Sequence, residues 1–272
     1  MESIIQVNAG EVFLRHGEIL SDRDTLLFIH GLGESGRCFD EVFRDERFSD
    51  FNILIPDMLG YGRSSDARDE DYSLNAQVNR IWEIIDKTGV KELDVIGHSL
   101  GGDLTTLLCN SDKEGMIEKY VNIEGDVTQY DDFITRDAVE AEKNNNFENW
   151  FVDRYMNDLV LNQWGKAFPS CLRYYESLKL CQPQAFKANA LELYELKNAL
   201  PGKYKSQLGK IYASLTVSKV FCYGTKSIDE RSIQFLRDNN LRFEEFTEAG
   251  HWVMIDQAEE FYSFLLEFLS AK

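Results

Sequence analysis

The chain has 272 residues, with 29 Lys and Arg against 47 Asp and Glu and a formal charge of −18. That balance excludes nucleic acid and anionic membrane surfaces as natural partners, because neutralising phosphates requires clustered positive charge and no such cluster occurs. A hydrophobic fraction of 43% and an aromatic fraction of 12% exclude extended disorder, and the length suits one domain carrying an insertion.

The first ten residues have neither a basic start nor a sustained apolar run, and apolar runs elsewhere are only a few residues long. A soluble, unprocessed chain without stable membrane insertion is expected. Residues 3–7 and 11–15 alternate and are closely spaced, which predicts an antiparallel pair. The rhythm then changes to short apolar runs at 25–29, 52–55, 93–96, 119–123 and 219–223, the pattern of strands buried on both faces of a parallel sheet. Between and after them lie helical patterns. Val78, Ile81, Trp82, Ile84 and Ile85 mark one face over residues 74–87, and Phe261, Phe264, Leu265 and Phe268 do so over 258–269. Parallel neighbours need crossover connections, so the expected fold class is α/β: a mostly parallel, twisted eight-stranded sheet with helices on both faces. Residues 126–213 break the rhythm. They contain no clear buried strand, and Phe147, Trp150, Phe151, Tyr155, Trp164, Phe168 and Tyr174 crowd a polar, mostly helical stretch. This predicts a helical cap inserted after the sixth strand, with residues 1–125 and 214–272 forming the core domain.

Gly97-His98-Ser99-Leu100-Gly101-Gly102 follows the apolar run 93–96 and precedes a helical run. Strand, glycine-flanked serine and helix in that order is the context of a nucleophile elbow, where a tight turn lifts the serine hydroxyl above the sheet. Five cysteines, Cys38, Cys109, Cys171, Cys181 and Cys222, form an odd set without C-x-x-C spacing, which argues for reduced thiols and a cytoplasmic location rather than a disulfide framework or structural zinc. No phosphate-binding loop, zinc-protease helix or calcium loop occurs, and the Gly31-x-Gly33-x-x-Gly36 pattern lacks the companions of a dinucleotide site, so no cofactor and no metal are expected.

With these motifs the chain resembles the α/β-hydrolase family. The segment 26–33, LLFIHGLG, resembles the family's strand and His-Gly oxyanion loop, and residues 55–65, IPDMLGYGRSS, resemble its D-x-x-G-x-G-x-S segment. Residues 249–252, AGHW, resemble the loop that carries its histidine. The resemblance implies Ser99 as nucleophile, His251 as base, and the backbone N–H groups of Leu32 and Leu100 as the oxyanion hole. The acid is less direct. The family's usual position, three residues beyond Gly224, is Ser227 here. Haloalkane dehalogenases and some other members place the acid after the preceding strand, where Glu124-Gly125 stands. A carboxylate at the tip of a buried strand is costly unless it is paired, and this favours Glu124. Asp229 and Asp126 are the alternatives; Asp229 also reads as a helix cap.

The implied activity is hydrolysis of a carboxylic ester or related acyl compound through an acyl-enzyme, on a small to medium, partly apolar substrate. Carbon–carbon, thioester or lactone hydrolysis, or ligand binding without turnover, are the alternative readings. The cap helices could pack edge to edge in a homodimer or leave the chain a monomer.

Overall fold

The structure, a computed structural model, describes residues 1–131 and 133–271. The chain opens with β1 (Glu2–Val7) and β2 (Gly10–His16), an antiparallel pair, followed by β3 (Thr25–Ile29), two 3₁₀ segments (Gly36–Phe43 and Glu46–Phe48) and β4 (Asn52–Pro56). Then come α1 (Leu74–Thr88), β5 (Leu93–His98), α2 (Leu100–Ser111) and β6 (Ile117–Ile123). Between the sixth and seventh strands the described residues form helices: α3 (Phe133–Lys143), α4 (Phe147–Asn149), a π-helix (Trp150–Trp164), α5 (Gly165–Ala167), α6 (Pro169–Leu178), α7 (Pro183–Lys197) and α8 (Gln207–Ser214). The chain finishes with β7 (Ser218–Gly224), α9 (Glu230–Asp238), β8 (Phe243–Phe246), α10 (Val253–Asp256) and α11 (Ala258–Ser270).

The eight strands form one sheet in the order β1-β2-β4-β3-β5-β6-β7-β8. β2 runs antiparallel to β1 and β4, and every pairing from β4 to β8 is parallel. The apolar runs expected as strands are the interior of this sheet: β3 and β4 are buried throughout, and so is β5. The stripes on α1 and α11 face the core, with Ile81, Ile84, Phe261 and Leu265 fully enclosed. No apolar run announced β8, because an edge strand paired on one side leaves Phe243, Glu244 and Glu245 partly or fully in water.

Strand β3 pairs with β4 on one side and β5 on the other, so the strand order reverses there. The connections leaving the carboxyl ends of β3 and β5 must then diverge to opposite faces, which opens a crevice between them. Beneath it, Asp57 ties the surrounding loops together. Its Oδ1 accepts from Arg15 Nη1 at 2.5 Å and Gly36 N at 2.7 Å, and its Oδ2 accepts from Arg63 N at 2.8 Å. The D-x-x-G-x-G-x-S segment therefore serves as a brace, with Asp57 completely buried.

Among the described residues, no helix is long and apolar enough to cross a membrane.

Candidate active site

Ser99 caps α2 at φ 52° and ψ −122°, a backbone conformation that costs about 1–3 kcal/mol for a residue with a side chain. The turn closes because its flanks are bare. A Cβ on Gly97 would stand 2.3 Å from the Gly101 carbonyl oxygen, and one on Gly101 would stand 2.0 Å from that of Ile29. The Ser99 N–H donates to the Ile123 carbonyl at 2.8 Å, which fixes the elbow to β6. Leu100 is the first residue of α2, where a backbone N–H has no intrahelical acceptor. Leu32 lies in the loop after β3, and its carbonyl accepts from the Tyr174 hydroxyl of α6 at 2.8 Å.

Glu124 follows β6 at φ 49°, with its N–H donating to the Cys222 carbonyl at 3.1 Å. Asn122 Oδ1 accepts from Gly125 N at 2.7 Å and holds this turn. Glu124 Oε2 is 2.6 Å from His251 Nδ1, while Oε1 accepts from Gly224 N at 2.7 Å and from Ser227 Oγ at 2.5 Å. With two other donors already on the carboxylate, the contact with His251 is read as Nδ1–H donating, which leaves Nε2 as the basic nitrogen. Burial lowers the proton affinity of His251, but the charge and hydrogen bond of Glu124 outweigh it and raise the pKa above the ordinary histidine value.

The other carboxylates considered from the sequence line the same cavity but are engaged by other side chains. Asp229 caps α9, accepts from Arg231 N at 2.8 Å and forms a two-pronged pair with the Arg231 guanidinium. Asp126 faces Lys197 of α7, with Oδ2 3.0 Å from the ammonium nitrogen. Two of the other three histidines are also engaged away from Ser99. His16 contacts the Gly17 carbonyl on the hairpin, and His30 Nε2 accepts from Met58 N at 3.0 Å while Nδ1 contacts the Gly31 carbonyl.

Three residues that sequence reasoning did not single out as site residues join this arrangement. Ser227, noted only as a missing acid, donates to Glu124. Glu34 and Trp252 are hydrogen-bonded to each other beneath the site. The one sequence signal was a carboxylate inside a glycine-rich loop that otherwise approaches the sheet closely.

Ser99 and His251 open onto one cavity of about 660 Å³. Trp164, Phe168, Cys171, Tyr174 and Leu193 of the inserted helices supply an apolar wall, and Tyr130, Asp131 and Lys197 a polar one. Among the described residues, no group of three or more His, Cys, Asp or Glu side chains is placed to hold a metal ion.

Residues 24–162 match the family model described as alpha/beta hydrolase fold. The chain belongs to that family. Lipase 1 of Psychrobacter immobilis is 32% identical over 95 residues, 35% of this chain and 29% of the lipase. Probable lysophospholipase BODYGUARD 2 of Arabidopsis thaliana is 34% identical over 84 residues, 29% of this chain and 18% of that protein. Three uncharacterised proteins of Mycobacterium bovis and Mycobacterium tuberculosis are 30% identical over 98 residues, 36% of this chain, so the match spans 28% of their length. Among solved structures, an esterase from Exiguobacterium antarcticum superposes over 100% of both chains with a TM-score of 0.77 at 17% identity. The enol-lactonase of Burkholderia xenovorans LB400 superposes over 99% of this α/β-hydrolase and 100% of the lactonase, with a TM-score of 0.78 at 14% identity. At such identities the structural likeness speaks for the fold alone.

Proposed function

We propose that this α/β-hydrolase is a cofactor-independent serine hydrolase that cleaves a carboxylic ester or related acyl compound through an acyl-enzyme. Ser99 Oγ attacks the acyl carbon as its proton passes to His251 Nε2, and the carbonyl electrons move onto oxygen. The N–H groups of Leu32 and Leu100 stabilise that oxyanion. Collapse breaks the bond to the leaving group, which takes the proton from His251. Water then attacks the acyl-serine, giving its proton to His251, and Ser99 leaves with it as the acid is released. Glu124 orients His251 and balances its positive charge in both half-reactions.

One observation carries this reading: a serine held in the strained elbow opens onto the same cavity as a histidine paired with Glu124 at 2.6 Å. The inserted helices would act as the cap that selects the substrate, and their aromatic wall suits a small to medium, partly apolar acyl or alcohol group. A lactone is an internal ester and would use the same steps; the likeness to the enol-lactonase makes lactones the second class to assay.

The test is labelling with a fluorophosphonate probe, read by intact mass and peptide mapping. Stoichiometric labelling at Ser99 that disappears in Ser99→Ala is the expected result, followed by turnover of aryl and alkyl esters. A folded wild-type protein that takes no label overturns the reading in favour of ligand binding without turnover.

A further inference from the structure

The inserted helix α6 lies directly on the loop that follows β3. Tyr174 and Ser177, about one turn apart on that helix, both reach the loop. The Tyr174 hydroxyl donates to the Leu32 carbonyl at 2.8 Å, and Ser177 Oγ meets Ser35 Oγ at 3.1 Å. Gly33, between those two contacts, has φ 75°, and a Cβ there would stand 2.5 Å from Leu178 Cδ2 and 2.7 Å from the Tyr174 hydroxyl oxygen. Loop and helix therefore fit together only with a bare residue at that point.

A carbonyl oxygen only accepts, so the single hydroxyl proton of Tyr174 is committed to Leu32. The Tyr155 hydroxyl of the π-helix lies 2.8 Å from that of Tyr174, and with the Tyr174 proton already given, Tyr155 must be the donor. The result is a directed chain from Tyr155 through Tyr174 to the Leu32 carbonyl, built from two buried side chains. Both rings are held as well. Tyr155 stacks on Trp150 with ring centres 5.2 Å apart, and Tyr174 packs on Trp252, the neighbour of His251, at 4.9 Å. On the other side of Leu32 in the chain, Gly31 N donates to Glu34 Oε2 at 2.6 Å, and the Gly31 carbonyl accepts from Glu34 N at 3.2 Å.

We propose that Tyr174 is a positioning residue that sets the aim of the Leu32 N–H, so that the inserted helices hold the oxyanion hole in shape as well as walling the cavity. The proposal rests on the serine-hydrolase reading above. The Leu32 N–H belongs to the peptide unit between Gly31 and Leu32. That unit's carbonyl is tied to Glu34 N, the unit before it is tied to the Glu34 carboxylate through Gly31 N, and the unit after it is tied to Tyr174 through the Leu32 carbonyl. Glycines flank Leu32 on both sides, and without such ties they would let the N–H swing. An oxyanion donor contributes fully only when it is fixed to within a fraction of an ångström of its productive place. The tether from α6 therefore bears on the rate through Leu32, without Tyr174 having to touch the reacting atoms.

The test compares Tyr174→Phe, which keeps the ring on Trp252 and in the cavity wall and removes only the hydroxyl, with Ser177→Ala, which loosens the same helix without touching Leu32. On an ester that the wild type turns over, Tyr174→Phe is expected to lower kcat by about 10–100-fold with KM within about twofold, and Ser177→Ala to leave both within about twofold. Two ketones separate the hole from the wall. A trifluoromethyl ketone adds Ser99 Oγ and turns its carbonyl oxygen into an oxyanion, so its affinity should fall by the same factor as kcat. The corresponding methyl ketone fills the cavity without forming that anion and should bind Tyr174→Phe as it binds wild type. Tyr155→Phe, which leaves Tyr174 on Leu32 without the donor behind it, should lose only about two- to fivefold in kcat. A merely structural hydroxyl would lower the melting temperature of Tyr174→Phe and leave kcat and both ketone affinities in place. That result, a loss confined to KM or shared equally by the methyl ketone, or an equal loss in Ser177→Ala overturns the proposal. If Tyr174→Phe does not fold, Tyr155→Phe decides, and an unchanged kcat and trifluoromethyl ketone affinity overturn it. Failure of the serine-hydrolase reading registers separately, as a wild type that takes no fluorophosphonate label at Ser99.

Discussion

At Glu124 one carboxylate meets three donors, the Gly224 N–H, the Ser227 hydroxyl and the His251 ring, from a backbone at φ 49°. Glu124→Gln keeps the shape and loses the charge, so kcat should fall by roughly 10²–10⁴-fold, whereas Asp229→Asn, which only loosens a helix cap, should change it by less than about twofold. Steady-state kinetics on a common ester would check both. The pH profile carries a sign. In the proposed reaction His251 acts when neutral, and its proton affinity is raised, so activity should be lost as pH falls through a midpoint above the ordinary 6.5. Glu124→Gln should move that midpoint downward. Sequence reasoning reached Glu124 because an acidic residue and a glycine at the tip of an apolar strand are conspicuous. It could not reach Glu34, whose charge reads as a surface feature until His98 and Trp252, 64 and 218 residues away, close over it.

Within β5, Asp94 occupies a place built for an apolar side chain. Its Oδ1 has no hydrogen-bond partner among the described residues, and burial, only partly offset by Lys119, pushes its carboxyl up to about 7. The folded form therefore binds a proton that the unfolded chain releases near 3.8, and stability should decline as pH rises from there to about 7. Asp94→Asn should flatten that decline and raise the melting temperature by about 2–4 °C at pH 8 and hardly at pH 4, as read by calorimetry. On α7 the opposite case holds. Lys197 is enclosed, 3.0 Å from Asp126 and donating to the Asp131 carbonyl at 2.8 Å. Lys197→Met would remove the buried cation beside Asp126 and should cost about 3–5 kcal/mol in urea unfolding, part of which Asp126→Asn should restore. The helices over 74–87 and 258–269 were legible from their periodicity and the interior strands from their apolar runs. The π-helix over Trp150–Trp164 was not, because an i→i+5 winding leaves no distinct apolar repeat in so aromatic a stretch.

Over the whole chain, a charge of −18 means that self-repulsion opposes compaction at low ionic strength. Raising salt from about 10 to 500 mM, where the screening length drops from about 30 Å to a few ångströms, should raise the melting temperature by several degrees. Alternation of strands and helices made the α/β class legible, but the strand order was not, since apolar runs do not state which neighbour they choose. That order brings the loop after β6 against the loop after β7, and it sets Ser227 2.5 Å from Glu124 although 103 residues separate them. Two distant segments thus address one oxygen-sized point beside His251, and this has a consequence for descent. A lineage that acquired Asp at 227 would hold two carboxylates there, too close for both to ionise, so they would share a proton and leave one charge. Either could then be lost without stranding the histidine, and the acid can migrate from one loop to the other through ancestors that never lack a counterion.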